Sequence, residues 1–267
     1  MDNPLISLTK DDGLAIIRLN RPETRNALSD MMVKEFGAAL RTCESQQIRA
    51  VYITGAGSAF CSGADVKSFA EHLEQGGPEG IAAHIQSLAT QLHQEVILQI
   101  RSLGKPVIAA VNGVAAGAGF SLALACDLRL ASNNARFLMA YANIGATADG
   151  GSSYLLPRLI GIGKAMELYT ASQPVGAQYA KELGLVEQVI PSENFERHSL
   201  EIATRIAKGP TLAYAKVKQL FNNSWNNDLE SQLNEETVAM TEITASRDFQ
   251  EGVKAFTQKR IPWFEGL

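Results

Sequence analysis

The chain is organised around residues 105–151, which read KPVIAAVNGVAAGAGFSLALACDLRLASNNARFLMAYANIGATADGG. An apolar run at 107–111 predicts a buried strand, and Asn112-Gly113 predicts a turn after it. The chain then passes through Gly117-Ala118-Gly119 into an apolar helix that we expect to end near Cys126. The first N–H groups of a helix have no partner within the helix and carry partial positive charge. This turn is therefore suited to bind an anion or a polarised oxygen.

Composition and charge exclude several classes of partner. Of the 267 residues, 46% are hydrophobic, which is enough for a large buried core. The net charge is −4 and no basic run occurs, which argues against a surface for nucleic acid. The apolar residues 107–125 are interrupted by Asn112, Ser121 and glycines, so a strand and a helix explain them better than a membrane span. We expect a small-molecule substrate and neither a nucleic-acid nor a membrane partner.

The cysteines and the start of the chain indicate a reducing compartment. The 3 cysteines, Cys43, Cys61 and Cys126, contain no C-x-x-C pair, so neither a disulfide framework nor a zinc site is predicted. The start, MDNPLISLTKDDG, lacks the basic and apolar regions of a signal peptide. Both observations favour a cytoplasmic location.

The periodicity of the chain predicts an α/β fold followed by helices. ISLTKDDGLAIIRL reads as a hairpin that turns at Asp12-Gly13, and RAVYIT at 49–54 reads as a buried strand. Gly76-Gly77-Pro78 is expected to break a helix and form a mobile loop. We predict an α/β core over 1–195 and a helical region over 196–267. The apolar faces of the last helices need either the core or a second subunit to cover them.

Two glycine-rich segments resemble nucleotide-binding loops only weakly. Gly55-Ala56-Gly57 follows a buried strand, but Phe60 stands where a dinucleotide fingerprint needs its third glycine. Gly161-Ile162-Gly163-Lys164 lacks the Ser or Thr that follows the lysine of a phosphate loop. We therefore expect no nucleotide cofactor.

Five motifs, in order and spacing, resemble the enoyl-CoA hydratase/isomerase (crotonase) superfamily. They are NRPETRNAL, TGAGSAFCSGAD, KPVIAAVNGVAAGAG, ADGGSSYLLPRLIG and EGVKAFTQKR. The resemblance spans essentially the whole chain and implies a spiral of ββα units whose helical C-terminal part drives assembly into a homotrimer or a hexamer. It also implies that the backbone N–H groups of Ala64 and Ala118 hold the thioester oxygen of an acyl-CoA. Such oxyanion donors are each worth roughly 10²–10³ in rate.

The same resemblance implies a binding site for the CoA part of the substrate. Members bind the adenine and phosphates with the segment after the first strands and with the loop after the GAD motif, and a C-terminal helix of a neighbouring subunit adds contacts. The candidate residues in this chain are Arg21, Arg25, Asp65, Val66, Lys67, Phe256 and Lys259. CoA would enter as part of the substrate, and no metal or redox cofactor is expected.

The chain departs from the hydratase members at two positions. Those enzymes carry two glutamates for water addition, and Ser121 and Tyr141 occupy these positions here. Neither residue is a good proton carrier near neutral pH, so ordinary hydration is doubtful. Both residues are instead expected to shape the pocket or to donate hydrogen bonds in it.

Asp149 matches the aspartate of isomerase members, among which the epoxyphenylacetyl-CoA isomerases look closest to this chain. One carboxylate beside an oxyanion hole can remove a proton and return it to another carbon, so we expect an acyl-CoA isomerase. Asp149 could alternatively cap the helix that follows it. A non-catalytic acyl-CoA binder is the remaining alternative.

Chlorobenzoyl-CoA dehalogenases also carry an aspartate at this position, where it acts as a nucleophile. Their histidine base aligns with Gln94, one residue from His93. A slip of one residue turns a helical side chain by about 100°, so His93 is expected to point elsewhere unless the backbone adjusts. We therefore expect isomerisation rather than dehalogenation. A hydratase in which Asp149 has another role than in the isomerase is a further alternative to isomerisation.

Overall fold

Two β-sheets form the core of the computed structural model, which describes residues 4–267. Residues 1–3, with which the acidic start of the chain begins, lie outside the described part. The strands, in chain order, are β1 (Ile6–Asp11), β2 (Leu14–Leu19), β3 (Ala50–Gly55), β4 (Ala59–Cys61), β5 (Val107–Val111), β6 (Val114–Ala116), β7 (Leu128–Ser132), β8 (Arg136–Leu138), β9 (Val175–Gly176) and β10 (Gln188–Ile190). One sheet has the order β1-β2-β3-β5-β7-β10 and the other β4-β6-β8-β9.

Most strand pairs are parallel, and each sheet has one antiparallel pair at an edge, β1 with β2 and β8 with β9. The predicted hairpin is confirmed: Asp12 and Gly13 join β1 to β2 with φ of 43° and 82°. Two consecutive positive φ angles are typical of the turn that matches the twist of a hairpin. β3 and β5 are buried along their whole length, as parallel strands covered on both faces must be.

The helices cover both faces of the larger sheet and continue beyond it. They are α1 (Asp30–Thr42), α2 (Val66–Leu92), α3 (Leu98–Ser102), α4 (Ala118–Ala125), α5 (Ser152–Ile160), α6 (Ile162–Ala171), α7 (Ala177–Glu182), α8 (Phe195–Ala207), α9 (Thr211–Asn223), α10 (Leu229–Ile243) and α11 (Arg247–Thr257). A π-helical segment, His93–Ile97, joins α2 to α3. Across the described residues, no helix is both long and apolar enough to span a membrane.

The predicted break at Gly77 is confirmed, but it is a kink inside α2. Gly77 has φ 59° and ψ −159°, which no α-helix contains, and helical residues flank it on both sides. The expected loop at residues 76–78 is therefore a kink, at which the axis of α2 changes direction.

Two hydrophobic clusters pack on opposite faces of the larger sheet. The main cluster contains Phe36, Phe60, Phe120 and Phe137 and lies under α1, α2 and α4. The second cluster joins Tyr52 to α8, where the Tyr52 hydroxyl lies 2.8 Å from Ser199 Oγ. Large apolar side chains of residues 211–267 stay exposed in the single chain; they include Phe221, Trp225, Leu229, Phe256, Ile261 and Trp263.

Candidate active site

Two loops meet where β4 and β6 end side by side. The first contains Gly63-Ala64 and the second contains Gly117-Ala118, which opens α4. A Cβ at Gly63, whose φ is 103°, would lie 2.8 Å from the Ala116 carbonyl oxygen and 3.4 Å from the Ala118 nitrogen. A Cβ at Gly119 would overlap the Cys61 carbonyl. Only glycine allows the loops to approach this closely, so the two predicted amides lie on touching segments of backbone.

The backbone N–H groups of Ala64 and Ala118 are free to bind a ligand. Within residues 4–267, neither N–H group donates to another backbone group or to a side chain. The peptides beside Ala64 are fixed, because Leu28 N donates to Gly63 O at 2.8 Å and Asp65 N donates to Leu28 O at 3.0 Å. Ala118 is buried and is the first residue of α4. Two such preorganised donors can stabilise an oxygen on which negative charge develops.

The Asp149 backbone is tied to the first turn of α4. Its carbonyl oxygen is reached by Ser121 Oγ at 2.8 Å, by the Tyr141 hydroxyl at 3.1 Å and by Ser152 Oγ at 2.8 Å. The Tyr141 hydroxyl also lies 2.8 Å from Ser121 Oγ. These hydrogen bonds hold the loop that carries Asp149 against the helix that starts at Ala118.

Ser121 and Tyr141 hold the Asp149 backbone and are buried themselves. Burial raises the pKa of the Tyr141 phenol well above its ordinary value, so this hydroxyl is a weak proton donor. Both side chains direct their polar atoms at each other and at the carbonyl of residue 149. In this arrangement they hold the backbone of residue 149 in place.

The Asp149 side chain contacts His93. Its Oδ1 lies 2.6 Å from His93 Nε2, and the side chains are 34% and 40% exposed, so the pair is open to a ligand. His93 therefore does not point elsewhere, as it would in a regular helix, because the backbone adjusts. His93 begins a π-helical segment, in which Leu98 N donates to the carbonyl oxygen of His93, five residues earlier. This turn contains one residue more than an α-helical turn. The extra residue compensates for the one-residue offset between His93 and Gln94.

The alternative role of Asp149 as a helix cap is also wrong. The N-cap of α5 is Gly151, whose φ is 80°, and no side chain caps this helix. Asp149 contributes only its backbone carbonyl, which accepts a hydrogen bond from Ser152 N at 3.2 Å. The Asp149 carboxylate contacts His93 instead of the helix end.

Five of the residues predicted to bind CoA lie together around the Ala64 loop. Both Arg21 Nη atoms lie 3.2 Å from Asp65 Oδ2, which joins the segment after β2 to the residue that follows Ala64. The backbone of Arg25 accepts a hydrogen bond from Ser62 N at 3.0 Å. The side chains of Arg25, Val66 and Lys67 are exposed beside this pair.

The other two predicted CoA residues lie at the C-terminal end of α11. Phe256 is 85% exposed, and Lys259 follows the helix with φ 53°. Neither side chain makes a hydrogen bond or an ion pair in the described part of the chain. Their proposed contact with CoA stays a prediction. Among residues 4–267, no group of three or more His, Cys, Asp or Glu side chains could hold a metal ion.

Comparison with known proteins gives matches along the whole chain. A family model described as "Enoyl-CoA hydratase/isomerase" matches residues 9–266. A Rhodobacter capsulatus protein named "Probable enoyl-CoA hydratase" is 40% identical over 255 residues, which cover 96% of this chain and 95% of the relative. The 1,2-epoxyphenylacetyl-CoA isomerase of Escherichia coli is 35% identical over 257 residues, 96% of each chain.

A solved structure gives the same result for the fold. The crystal structure of an enoyl-CoA hydratase from Bacillus anthracis matches with a TM-score of 0.90 at 33% identity and covers 98% of this chain and 100% of that one. The predicted α/β fold of the crotonase type is confirmed by this match.

Proposed function

The chain belongs to the enoyl-CoA hydratase/isomerase family, and from that premise we propose that it is an acyl-CoA isomerase that shifts a double bond. The observation that carries the proposal is the position of Asp149. Its backbone is tied to α4 through Ser121 and Tyr141, and its carboxylate is open to a ligand beside His93. An accessible acid, on a loop tied to the helix that starts at one of two free main-chain donors, supplies the groups that a proton transfer between two carbons requires.

The mechanism begins at the thioester. The N–H groups of Ala64 and Ala118 would bind the carbonyl oxygen and stabilise the enolate, which makes the neighbouring C–H bonds acidic. Asp149 Oδ2 has no hydrogen-bond partner among the described residues, so it is the atom that would remove a proton from one carbon and deliver one to another. CoA is part of the substrate, and the exposed cations of Arg25 and Lys67 are suited to its phosphates.

Ordinary hydration is less well supported by the site. Water addition needs one group to accept a proton from water and another to protonate carbon. The two positions where hydratases of the family carry glutamates hold Ser121 and Tyr141, whose hydroxyls are buried and hydrogen-bonded to each other. Neither hydroxyl is free to activate a water molecule.

A dehalogenase-type reaction is the second candidate, and the contact between His93 and Asp149 favours it. In that reaction the Asp149 carboxylate would attack the ring carbon of a haloaryl-CoA, form an aryl ester and release halide. Water would then cleave the ester, with the His93 imidazole accepting a proton from the water. The product would carry a hydroxyl group in place of the halogen. Its oxygen would come from the Asp149 carboxylate, which would regain an oxygen from water in each turnover.

Replacement of Asp149 tests the proposed function. Wild type and Asp149→Asn are incubated with a panel of unsaturated and aryl acyl-CoA thioesters, and products are followed by mass spectrometry. We expect a mass-neutral double-bond shift in the wild type and a loss of roughly 10²–10⁴-fold in Asp149→Asn, because the proposed base is removed. The control is Asp30→Asn, an isosteric change of an exposed residue at the start of α1, which should leave the rate unchanged.

Other outcomes of this experiment would contradict the isomerase. Unchanged turnover in Asp149→Asn would remove the proposed base. Gain of one water would indicate hydration, and loss of halide would indicate dehalogenation. Tight binding of thioesters without any turnover would indicate a non-catalytic acyl-CoA binder.

We also propose that the enzyme is a cytoplasmic homotrimer or a dimer of trimers. The exposed apolar side chains of α9–α11 support a further subunit as their cover. Cys43, Cys61 and Cys126 are free and buried, which fits a reducing compartment. Light scattering of the purified protein would give the number of chains directly.

A further inference from the structure

We propose that Arg21 is a positioning residue of the oxyanion hole that the N–H groups of Ala64 and Ala118 form, and not a ligand of the CoA phosphates. Its guanidinium lies at the start of a chain of hydrogen-bonded peptide groups that ends at the free N–H group of Ala64. The inference rests on the proposed function, because it assigns Arg21 a role in stabilising the enolate of the thioester. The sequence indicated this residue only as a candidate for CoA binding.

Two peptide groups connect Arg21 to Ala64. Arg21 Nη1 donates to the Ala27 carbonyl oxygen at 2.8 Å. The peptide group of that carbonyl also contains the N–H of Leu28, which donates to the Gly63 carbonyl oxygen at 2.8 Å. The peptide group of Gly63 in turn contains the N–H of Ala64. Since both peptide groups are planar and trans, each N–H points away from the carbonyl oxygen of its own group. The bonds to the two carbonyl oxygens therefore fix the direction of the Ala64 N–H.

A positive charge at the start of this chain strengthens the donor at its end. Hydrogen bonds in series polarise one another, by about 10–30% per bond. The guanidinium polarises the first peptide group, which makes the Leu28 N–H a stronger donor, and the same effect on the second peptide group makes the Ala64 N–H more positive. The enolate oxygen carries more negative charge than the thioester oxygen, so the enolate gains more from this donor. Arg21 is therefore expected to act on the rate of the reaction.

The Arg21 guanidinium is bonded within the protein on its other side as well. Both Nη atoms lie 3.2 Å from Asp65 Oδ2, and Nε lies 4.0 Å from Glu23 Oε1. The Arg21 and Asp65 side chains are only 17% and 18% exposed. Asp65 is the N-cap residue of α2, but its side chain makes no capping hydrogen bond and contacts Arg21 instead. A move of Arg21 toward a phosphate would break its bonds to Asp65 and to the buried Ala27 carbonyl, which is costly where water has little access.

The backbone of Arg21 is fixed by a buried asparagine. Arg21 N donates to Asn26 Oδ1 at 2.9 Å, and Asn26 N donates to the Arg21 carbonyl oxygen at 2.8 Å. Asn26 is fully buried, and its Nδ2 donates to the Ala59 carbonyl oxygen in β4 at 2.8 Å. The start of the peptide chain is therefore anchored to the strand that leads into the Ala64 loop.

Replacement of Arg21 tests this inference through the thioester carbonyl itself. Butyryl-CoA that carries a heavy carbon isotope at the carbonyl has no double bond to shift, and difference infrared spectra of its complex give the C=O stretching frequency. We expect binding to the wild type to lower this frequency, because hydrogen bonds weaken the C=O bond. Arg21→Gln keeps a donor but has no charge, so its decrease should be smaller. Arg21→Lys keeps the charge without the forked geometry and should give an intermediate decrease.

Kinetics and CoA binding give a second readout. Arg21→Gln should lower kcat by about tenfold to a hundredfold, less than the roughly 10²–10³ that the loss of a complete donor costs. Its Kd for free CoA, measured by calorimetry, should stay at the wild-type value. Lys67→Gln, which removes an exposed cation beside the same loop, should weaken CoA binding instead. The control is Arg18→Gln, which removes another ion-paired arginine, 2.6 Å from Glu196, and should match the wild type in every readout.

Weaker binding of CoA by Arg21→Gln with a wild-type carbonyl frequency would overturn the inference, because Arg21 would then bind CoA. If Arg21→Gln does not fold, Arg21→Lys decides in its place, and a wild-type frequency in that variant overturns the inference. No decrease of the frequency in the wild type would overturn it without any variant. Failure of the proposed isomerase is distinguishable, because the wild type would then lower the frequency of butyryl-CoA and shift no double bond.

Discussion

Replacement of Tyr141 by Phe separates a positioning role from an acid role. The change removes one buried hydroxyl that lies 2.8 Å from Ser121 Oγ and 3.1 Å from the Asp149 carbonyl oxygen. That carbonyl keeps Ser121 and Ser152 as partners. The cost should therefore be that of one neutral hydrogen bond, about 0.5–1.5 kcal/mol. For a chain of this size we expect a decrease in melting temperature of about 2–4 °C per kcal/mol.

The effect on the reaction should be equally modest. Because burial raises the pKa of Tyr141, the phenol is a poor proton donor near neutral pH. We expect kcat to fall less than about tenfold and its pH dependence to keep its shape, whereas loss of a general acid costs roughly 10²–10⁴. Thermal melts and steady-state kinetics over a pH series measure both quantities.

Tyr169→Phe provides the matched control for Tyr141→Phe. The Tyr169 hydroxyl donates to the Ala146 carbonyl oxygen at 2.8 Å, so it is another tyrosine bonded to the backbone of the same loop. The two variants should lose similar stability. A hundredfold loss of kcat in Tyr141→Phe alone, with a normal melting temperature, would refute the positioning role.

Three further predictions concern one glycine of the site and two ion pairs elsewhere in the fold. Gly119→Ala should abolish the reaction and lower the yield of folded protein, because the new methyl group overlaps the carbonyl at the end of β4; circular dichroism and activity check this. Lys218→Met should lower the free energy of unfolding, measured with denaturant, by about 3 kcal/mol. The Lys218 side chain is only 9% exposed, and its ammonium group lies 2.8 Å from the Asp127 carboxylate, which would lose this partner. Glu251 has its pKa lowered to about 2, first by hydrogen bonds from Arg260. Its stabilising effect is present above the ordinary pKa of 4.5 and is lost as the pH falls toward 2, so acid should lower the melting temperature less in Glu251→Gln than in the wild type.

Features with strong local signals could be predicted from the sequence. The Asp12-Gly13 turn and the strand Val107–Val111 lie where expected, because positive φ angles and continuous apolar runs depend little on distant residues. The kink at Gly77 follows from the adjacent glycine and proline in the same way.

The arrangement around Asp149 depends on tertiary contacts and was only partly predictable. Local rules favour an aspartate as a helix cap, but Gly151 takes the cap position and leaves the carboxylate to His93. The π-helical turn that brings His93 there has no recognised sequence pattern. Ser121 and Tyr141 were expected near the acid, but nothing in the sequence showed that both reach its backbone carbonyl.

The central claim is that Ala64, Ala118 and Asp149 together convert a thioester into its enolate. The most direct measurement incubates a panel of acyl-CoA substrates with the enzyme in deuterated water. Mass spectrometry then detects exchange of the hydrogens on the carbon next to the thioester. The account predicts that the wild type exchanges these hydrogens in at least one thioester and that Asp149→Asn does not. Equal exchange by both proteins, or neither exchange nor a double-bond shift by the wild type with any thioester, would contradict it.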